Sequence, residues 1–309
     1  MNMQSEVICG YLVTEEQKRI NAVYLDLVTE FGRLCEKAGI TWWMYAGNLI
    51  GAVRHKGFVP WDDDIDIMLP RRDFDRLVSM TNEEFGAKPP YFLQNPVTDP
   101  GYVEALLRFR RSDTTFIADW NWPSVARCRE GSPYNLGIDL SLFPIDNVPK
   151  SPRLYRLQSK AASLLTHAMY YAYGPMKDAP LHWALSQPPR LFGLRGYYAL
   201  ASAPYRMARK NCSGKVQIFG GHYSMCTEYD AADFEQTLHV PFEDITVPIP
   251  SGYDGILRAT YGDYMSLPPE EDRHPPHDGI VSADMPYEET VRRLKDGSIP
   301  LPAGWKKPA

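Results

Sequence analysis

The sequence predicts an α/β (α+β) chain: a small mixed sheet flanked by helices, with a helical second part. Three observations predict it. Ile20, Val23, Leu27, Phe31, Leu34 and Cys35 recur at helical spacing near the start. Short β-rich or alternating runs at 40–45, 64–69, 89–93, 105–109 and 137–149 are set apart by turn residues, as the strands of one sheet would be. From Lys150 to Asn211, helical stretches such as 154–173 alternate with breaks near Pro175, Pro180, Pro188 and Pro204. The 309 residues therefore divide into a core, 1–150, and a second region, 151–309, packed with it as one unit.

Each element has a local cause. Thr14-Glu15-Glu16-Gln17 reads as a capping box that starts the first helix, and Gly39 stops it. Ile40 to Tyr45 (ITWWMY) is an aromatic strand whose Trp42, Trp43 and Tyr45 read as core. After the Gly47 turn, 49–53 can form a short helix whose free N–H groups face a phosphate. Arg54, His55 and Lys56 follow as a basic cluster, suited both to balance nearby carboxylates and to clamp a diphosphate. Pro60 and Trp61 hold an extended approach to the next strand.

That strand carries the strongest chemical signal. Asp62, Asp63, Asp64 and Asp66 fall within five positions, and Asp64-Ile65-Asp66-Ile67 alternates polar with apolar. Period 2 puts Asp62, Asp64 and Asp66 on one face, about 7 Å apart from one to the next. Like charges at that spacing repel by roughly 2 kcal/mol per pair at an effective dielectric near 20. A hard cation, Mg²⁺ or Mn²⁺, suits such an oxygen-only set. An EF-hand is excluded: counting from Asp62, the sixth position is Ile67 and the twelfth is Asp73.

Pro70 ends the strand and a helix runs over 72–80. On the 105–109 strand and its continuation, Arg108 and Arg110 share one face by period 2. His274 and His277, three apart on a proline-broken loop without cysteine, read as loop histidines rather than metal ligands, with contact to the donor or acceptor as the alternative. A short helix over 254–261 and a last polar helix after Glu288 complete the reading.

Composition excludes several classes. Net charge is -5 with no basic block, so a nucleic-acid surface has no electrostatic support. Five cysteines without C-x-x-C spacing argue against a disulfide framework or zinc site. No apolar run approaches the roughly 20 residues of a membrane span, and MNMQSEVICGYLV has neither the basic nor the apolar part of a secretory signal. The expectation is a cytoplasmic protein.

The stretch GNLIGAVRHKGFVPWDDDIDIMLPRRDFDRL resembles the signature of the LicD family, which includes bacterial phosphocholine transferases and is related to fukutin-type phosphoribitol transferases. The resemblance implies a nucleotidyltransferase fold in which a Gly-Ser/Thr turn precedes a D-h-D strand. Gly47 and Asn48 stand at that turn, with Asn where Ser or Thr is more usual. ALLRFRRSDTTFI resembles a second family segment, with Arg108 where many members carry Lys. GIDLSLFPIDNVP resembles the strand of the third metal carboxylate, except that Ser141 occupies the aspartate's usual position. Either the strand is shifted by two residues or Asp139, one pleat earlier, serves instead; Asp139 is assigned, and Asp146 is read as a turn cap. Residues 240–278 resemble the family's closing motif.

The implied reaction takes a CDP-activated donor such as CDP-choline. It transfers the phosphoryl-alcohol group to a sugar hydroxyl of a surface glycan (a teichoic acid, lipopolysaccharide or capsule precursor), releasing CMP. Asp62, Asp64, Asp66 and Asp139 would be catalytic and hold Mg²⁺ or Mn²⁺, with Asp62 or Asp63 as general base. Gly47, Asn48, Arg54, His55, Lys56, Trp61, Arg108 and Arg110 would bind substrate, Trp61 facing a quaternary ammonium. A lipid-linked acceptor would bring the protein to the inner face of the membrane. The alternatives are a sugar-nucleotide glycosyltransferase using the D-x-D, an NTP-dependent nucleotidyltransferase, and a non-enzymatic glycan binder; the intact carboxylate set argues against the last.

Overall fold

The computed structural model describes residues 3–102, 104, 106–173, 199–200, 202–206, 212–220 and 223–305, with isolated residues at 187, 191 and 196. The expected proline breaks near Pro175, Pro180 and Pro188 lie outside the described residues.

A small hairpin, β1 (Glu6–Ile8) and β2 (Tyr11–Val13), leads into helix α1 (Glu15–Ala38). Thr14 Oγ1 accepts from Gln17 N at 3.1 Å, and Gly39 closes the helix in the left-handed region at φ 60°. The capping box is only half formed, because the Gln17 side chain donates to Pro60 O at 2.8 Å. The helix thereby ties to the segment that delivers the aspartates. Leu27, Phe31 and Leu34 are buried, and Phe31 packs on Trp42 and Phe109 with ring centroids 5.7 and 5.4 Å apart. Burial of each such side chain contributes about 2 kcal/mol. Trp42, Trp43 and Tyr45 lie in the same core, as expected.

Next come β3 (Trp43–Met44), α2 (Ala46–Ile50) with a π-helical turn over Gly51–His55, β4 (Ile65–Pro70), α3 (Arg71–Ser79) and α4 (Asn82–Phe85). Strands β5 (Tyr91–Gln94), β6 (Leu107–Arg111) and β7 (Thr115–Ala118) precede α5 (Trp122–Arg127) and the long β8 (Ile138–Pro149). Strand β8 is the axis of the main sheet. Strand β4 runs parallel along one edge; antiparallel β6 and then β9 (Cys212–Gly220) occupy the other in series. Buried residues line both faces of β8.

Among the described residues after 150, strands accompany the expected helices. Helix α6 (Pro152–Tyr173) and the short α7 (Ala203–Arg206) are present, but β9 and β10 (Tyr223–Asp230) extend the same sheet. A hairpin of β11 (Thr237–Phe242) and β12 (Ile245–Pro250), helix α8 (Tyr253–Tyr261), β13 (Gly279–Ser282) and α9 (Tyr287–Asp296) follow. Strand β13 returns to pair with β7, which brings the C-terminal loop back beside the first half of the chain.

Candidate active site

Strand register assembles the site. Asp66 pairs with Ser141 and Ile65 with Leu140, so Asp64 falls beside Asp139. Across β8, Ser141 pairs with Arg108 and Asp139 with Arg110. Since side chains alternate, Asp64, Asp66, Asp139, Ser141, Arg108 and Arg110 share the face opposite Phe109 and α1. In this register Ser141 faces Asp66, and Asp139 lies one pleat away, beside Asp64.

The backbone of the aspartate strand is clasped by Asn48. Its amide donates to Asp64 O at 2.9 Å, and its Oδ1 accepts from Asp66 N at 2.6 Å. With the Asn48 side chain buried, this spends the group expected to meet a donor phosphate on the strand itself. Tyr24 Oη donates to Asp63 O at 2.9 Å, fixing the approach from α1. Gly47 leaves room for the Asp62 carboxylate: a Cβ there would push against Asp62 Oδ2.

The carboxylates are short of counter-charge. Neither Asp62 nor Asp66 has an ion-pair partner among the described residues. Burial, reinforced by repulsion from neighbouring aspartates, pushes both well above the usual carboxylate range. Asp64 is pushed up to about 6 by burial, with Asp63 and Asp139 adding to it and His277 opposing. Oxygen donors that resist ionisation for want of a cation fit a hard divalent ion.

Asp139 is differently placed. Its Oδ2 accepts from Arg108 Nη1 and its Oδ1 from Arg110 Nη1, both at 2.6 Å. Arg108 also donates to Ser141 Oγ at 2.9 Å, Glu104 at 2.9 Å and Tyr102 Oη at 3.1 Å. Arg110 is 2% exposed and further bonded to Gln94 and Gly137 O. Both oxygens of Asp139 are thus committed to guanidinium groups, and both arginines to protein partners.

Both histidines lie on the loop before β13: His274 is exposed beside Pro275 O, whereas His277 reaches the aspartates. His277 Nδ1 lies 2.8 Å from Asp63 Oδ1, and its backbone N–H donates to Asp63 Oδ2 at 3.2 Å. One ligand-type atom from each of Asp63, Asp64 and His277 falls within 4.8 Å of the others. The hydrogen bond to Asp63, with the charges of Asp64 and Asp62, raises the His277 pKa against its desolvation. The partners stand 214 residues apart, so no local spacing could reveal the pairing.

The basic cluster faces elsewhere in part. Arg54 donates to His55 Nε2 at 2.9 Å and to the carbonyls of Tyr264 and Ser266 at 2.6 and 3.0 Å. His55 is lowered to about 4 by burial and by Arg54, which keeps it neutral. Lys56 is exposed, and its carbonyl accepts from Glu243 N at 2.7 Å. Trp61 is buried, with the Arg273 guanidinium 5.6 Å above its ring. Asp146 is not a turn cap: it holds Arg71 in a buried two-pronged pair at 2.7 and 2.6 Å. A cavity of about 370 Å³ opens beside that pair, between Trp43, Tyr205 and Phe234, and does not include the clustered aspartates. No described helix is long and apolar enough to cross a membrane.

Comparison with known proteins agrees with this architecture. Residues 39–131 match the family described as LicD/FKTN/FKRP, nucleotidyltransferase domain. The lipopolysaccharide cholinephosphotransferase LicD of Haemophilus influenzae is 29% identical over 264 residues, which is 82% of this chain and 93% of that protein. Human ribitol 5-phosphate transferase FKRP is 35% identical over 52 residues, 17% of this chain and 10% of that protein. The mouse FKRP match has the same extent.

Proposed function

Since the chain belongs to the LicD family and is a phosphotransferase, we propose that it moves phosphocholine from CDP-choline to a sugar hydroxyl of a lipopolysaccharide-type surface glycan. The acceptor oxygen bonds to the phosphorus that carries choline, the bond from that phosphorus to the CMP oxygen breaks, and CMP leaves with the electron pair. The hydroxyl proton passes to the enzyme. The observation that carries this reading is the mutual repulsion of Asp62, Asp64 and Asp66 at the head of β4, where neither Asp62 nor Asp66 has an ion-pair partner among the described residues.

Those three aspartates would hold Mg²⁺ or Mn²⁺, which when bound neutralises diphosphate charge and favours an ionised acceptor oxygen. Asp139 acts as a positioning residue, setting Arg108 and Arg110 as a fixed positive wall behind the carboxylates. The Asp63–His277 pair takes the proton, Asp63 orienting the ring through Nδ1 and leaving Nε2 to accept. Asn48 and Gly47 keep the aspartate backbone and Asp62 in place. The acceptor would lie at the inner face of the membrane as a lipid-linked glycan; no described helix is long and apolar enough to cross the bilayer.

The test is calorimetric titration, with Mg²⁺ present, of CDP-choline, CDP-ribitol, CDP-glycerol, UDP-glucose and CTP. Selective binding of CDP-choline, lost in Asp64→Asn, is expected. Preference for UDP-glucose or CTP would replace the reaction with glycosyl or nucleotidyl transfer.

A further inference from the structure

The buried Trp61 already carries a cation of the chain itself, Arg273, over its ring, and has no open face to offer. A different indole is open. Trp120 is 41% exposed. It is not loose: its ring packs edge-on against His277, with centroids 5.5 Å apart and planes at 73°. His277 in turn bonds Asp63, so Trp120 stands two contacts from the clustered carboxylates. Its flanks are acidic. Asp119 precedes it and Asp278 follows His277; Asp119 N donates to Asp278 O at 3.3 Å, where the β7–β13 pair ends at Ala118 and Gly279. Both aspartates are exposed, and neither has an ion-pair partner among the described residues.

We propose that Trp120, with Asp119 and Asp278 around it, receives the quaternary ammonium of the donor's alcohol and so selects choline over neutral alcohols. An indole face attracts a desolvated cation through its ring quadrupole, and carboxylates nearby deepen that attraction. A neutral polyol gains nothing from either term. The inference rests on the CDP-choline reading above.

The experiment measures Kd for CDP-choline, CDP-glycerol and CDP, each with Mg²⁺, on the full chain and on Trp120→Ala, Trp120→Phe and Asp119→Asn/Asp278→Asn. Trp120→Ala is expected to weaken CDP-choline about tenfold, the scale of one such contact, and to leave CDP-glycerol and CDP unchanged. Trp120→Phe should recover part of the loss, and the double acidic variant should weaken CDP-choline alone by several-fold. Equal weakening of all three ligands would make Trp120 a platform for the base and overturn the proposal while the donor reading stands. No change for any of them would overturn it equally. If the parent binds none of the CDP compounds, the donor reading itself fails and this inference falls with it.

Discussion

Asp139 and Asp64 lie side by side in register, yet their removal should have opposite effects. Asp139→Asn takes the negative charge from between Arg108 and Arg110, each held at 2.6 Å, and Arg110 is 2% exposed. Arg110 is then left buried without a counter-ion among the described residues, and Arg108 keeps only Glu104 at 2.9 Å. Breaking a buried pair in this way costs about 3–5 kcal/mol. Asp64→Asn instead removes one of several like charges, and at the roughly 2 kcal/mol per pair expected for such spacing it should stabilise the metal-free protein by about 1–2 kcal/mol. The sign follows from proton binding. Asp64 holds its proton up to about 6 when folded and to about 4 when unfolded. The folded form therefore binds more protons between those values, and stability is lost as pH rises through them. Urea unfolding in EDTA at pH 7, followed by circular dichroism, reads both variants, and calorimetry with Mg²⁺ then reads metal affinity. Asp139→Asn should unfold early while binding Mg²⁺ within a few-fold of the parent; Asp64→Asn should unfold late and not bind. An Asp139→Asn protein as stable as the parent that has lost Mg²⁺ would make Asp139 a ligand and refute the positioning role.

Three further outcomes follow from contacts already described. Gly47→Ala should cost little stability, because the clashing atom is the mobile end of Asp62, but should lower Mg²⁺ affinity about tenfold or more; unchanged affinity would separate Asp62 from the metal. Asn48→Ala removes two hydrogen bonds to buried backbone at 2.9 and 2.6 Å and should destabilise by about 3 kcal/mol in thermal or urea unfolding. His55, neutral when folded down to about 4, makes the unfolded chain bind more protons between that value and about 6.5, so stability should fall as pH drops through this window. After discounting for a half-exposed ring the effect is about 1–2 kcal/mol, and His55→Gln should flatten the slope.

Local pattern carried much of this molecule. The alternation in Asp64-Ile65-Asp66-Ile67 was enough to place a strand with one polar face, and the apolar spacing from Ile20 to Cys35 placed α1. Pairing between distant segments was not legible. Nothing near His277 marks Asp63 as its partner, and nothing in Cys212–Gly220 announces that it continues the edge begun by β6. Asp146 misled for a related reason: after a Phe-Pro pair it has the composition of a turn, and only the fold supplies Arg71. Arg108 and Arg110 share one face by period 2, but that Asp139 neutralises them depends on a strand pairing that periodicity does not encode.

The long central strand β8 raises a question of addressing. Because buried residues occupy both its faces, it has no wet and dry side to tell a correct alignment from one displaced by a single residue. Its two buried aspartates supply what the apolar residues cannot. Asp139 and Asp146 are an odd number of residues apart, so they point to opposite faces, one toward Arg108 and Arg110 and the other toward Arg71. A slip by one position would turn both acids away from their arginines at once. The ion pairs therefore act as a parity check on the strand, and the alignment they enforce is the one that sets Ser141 against Asp66.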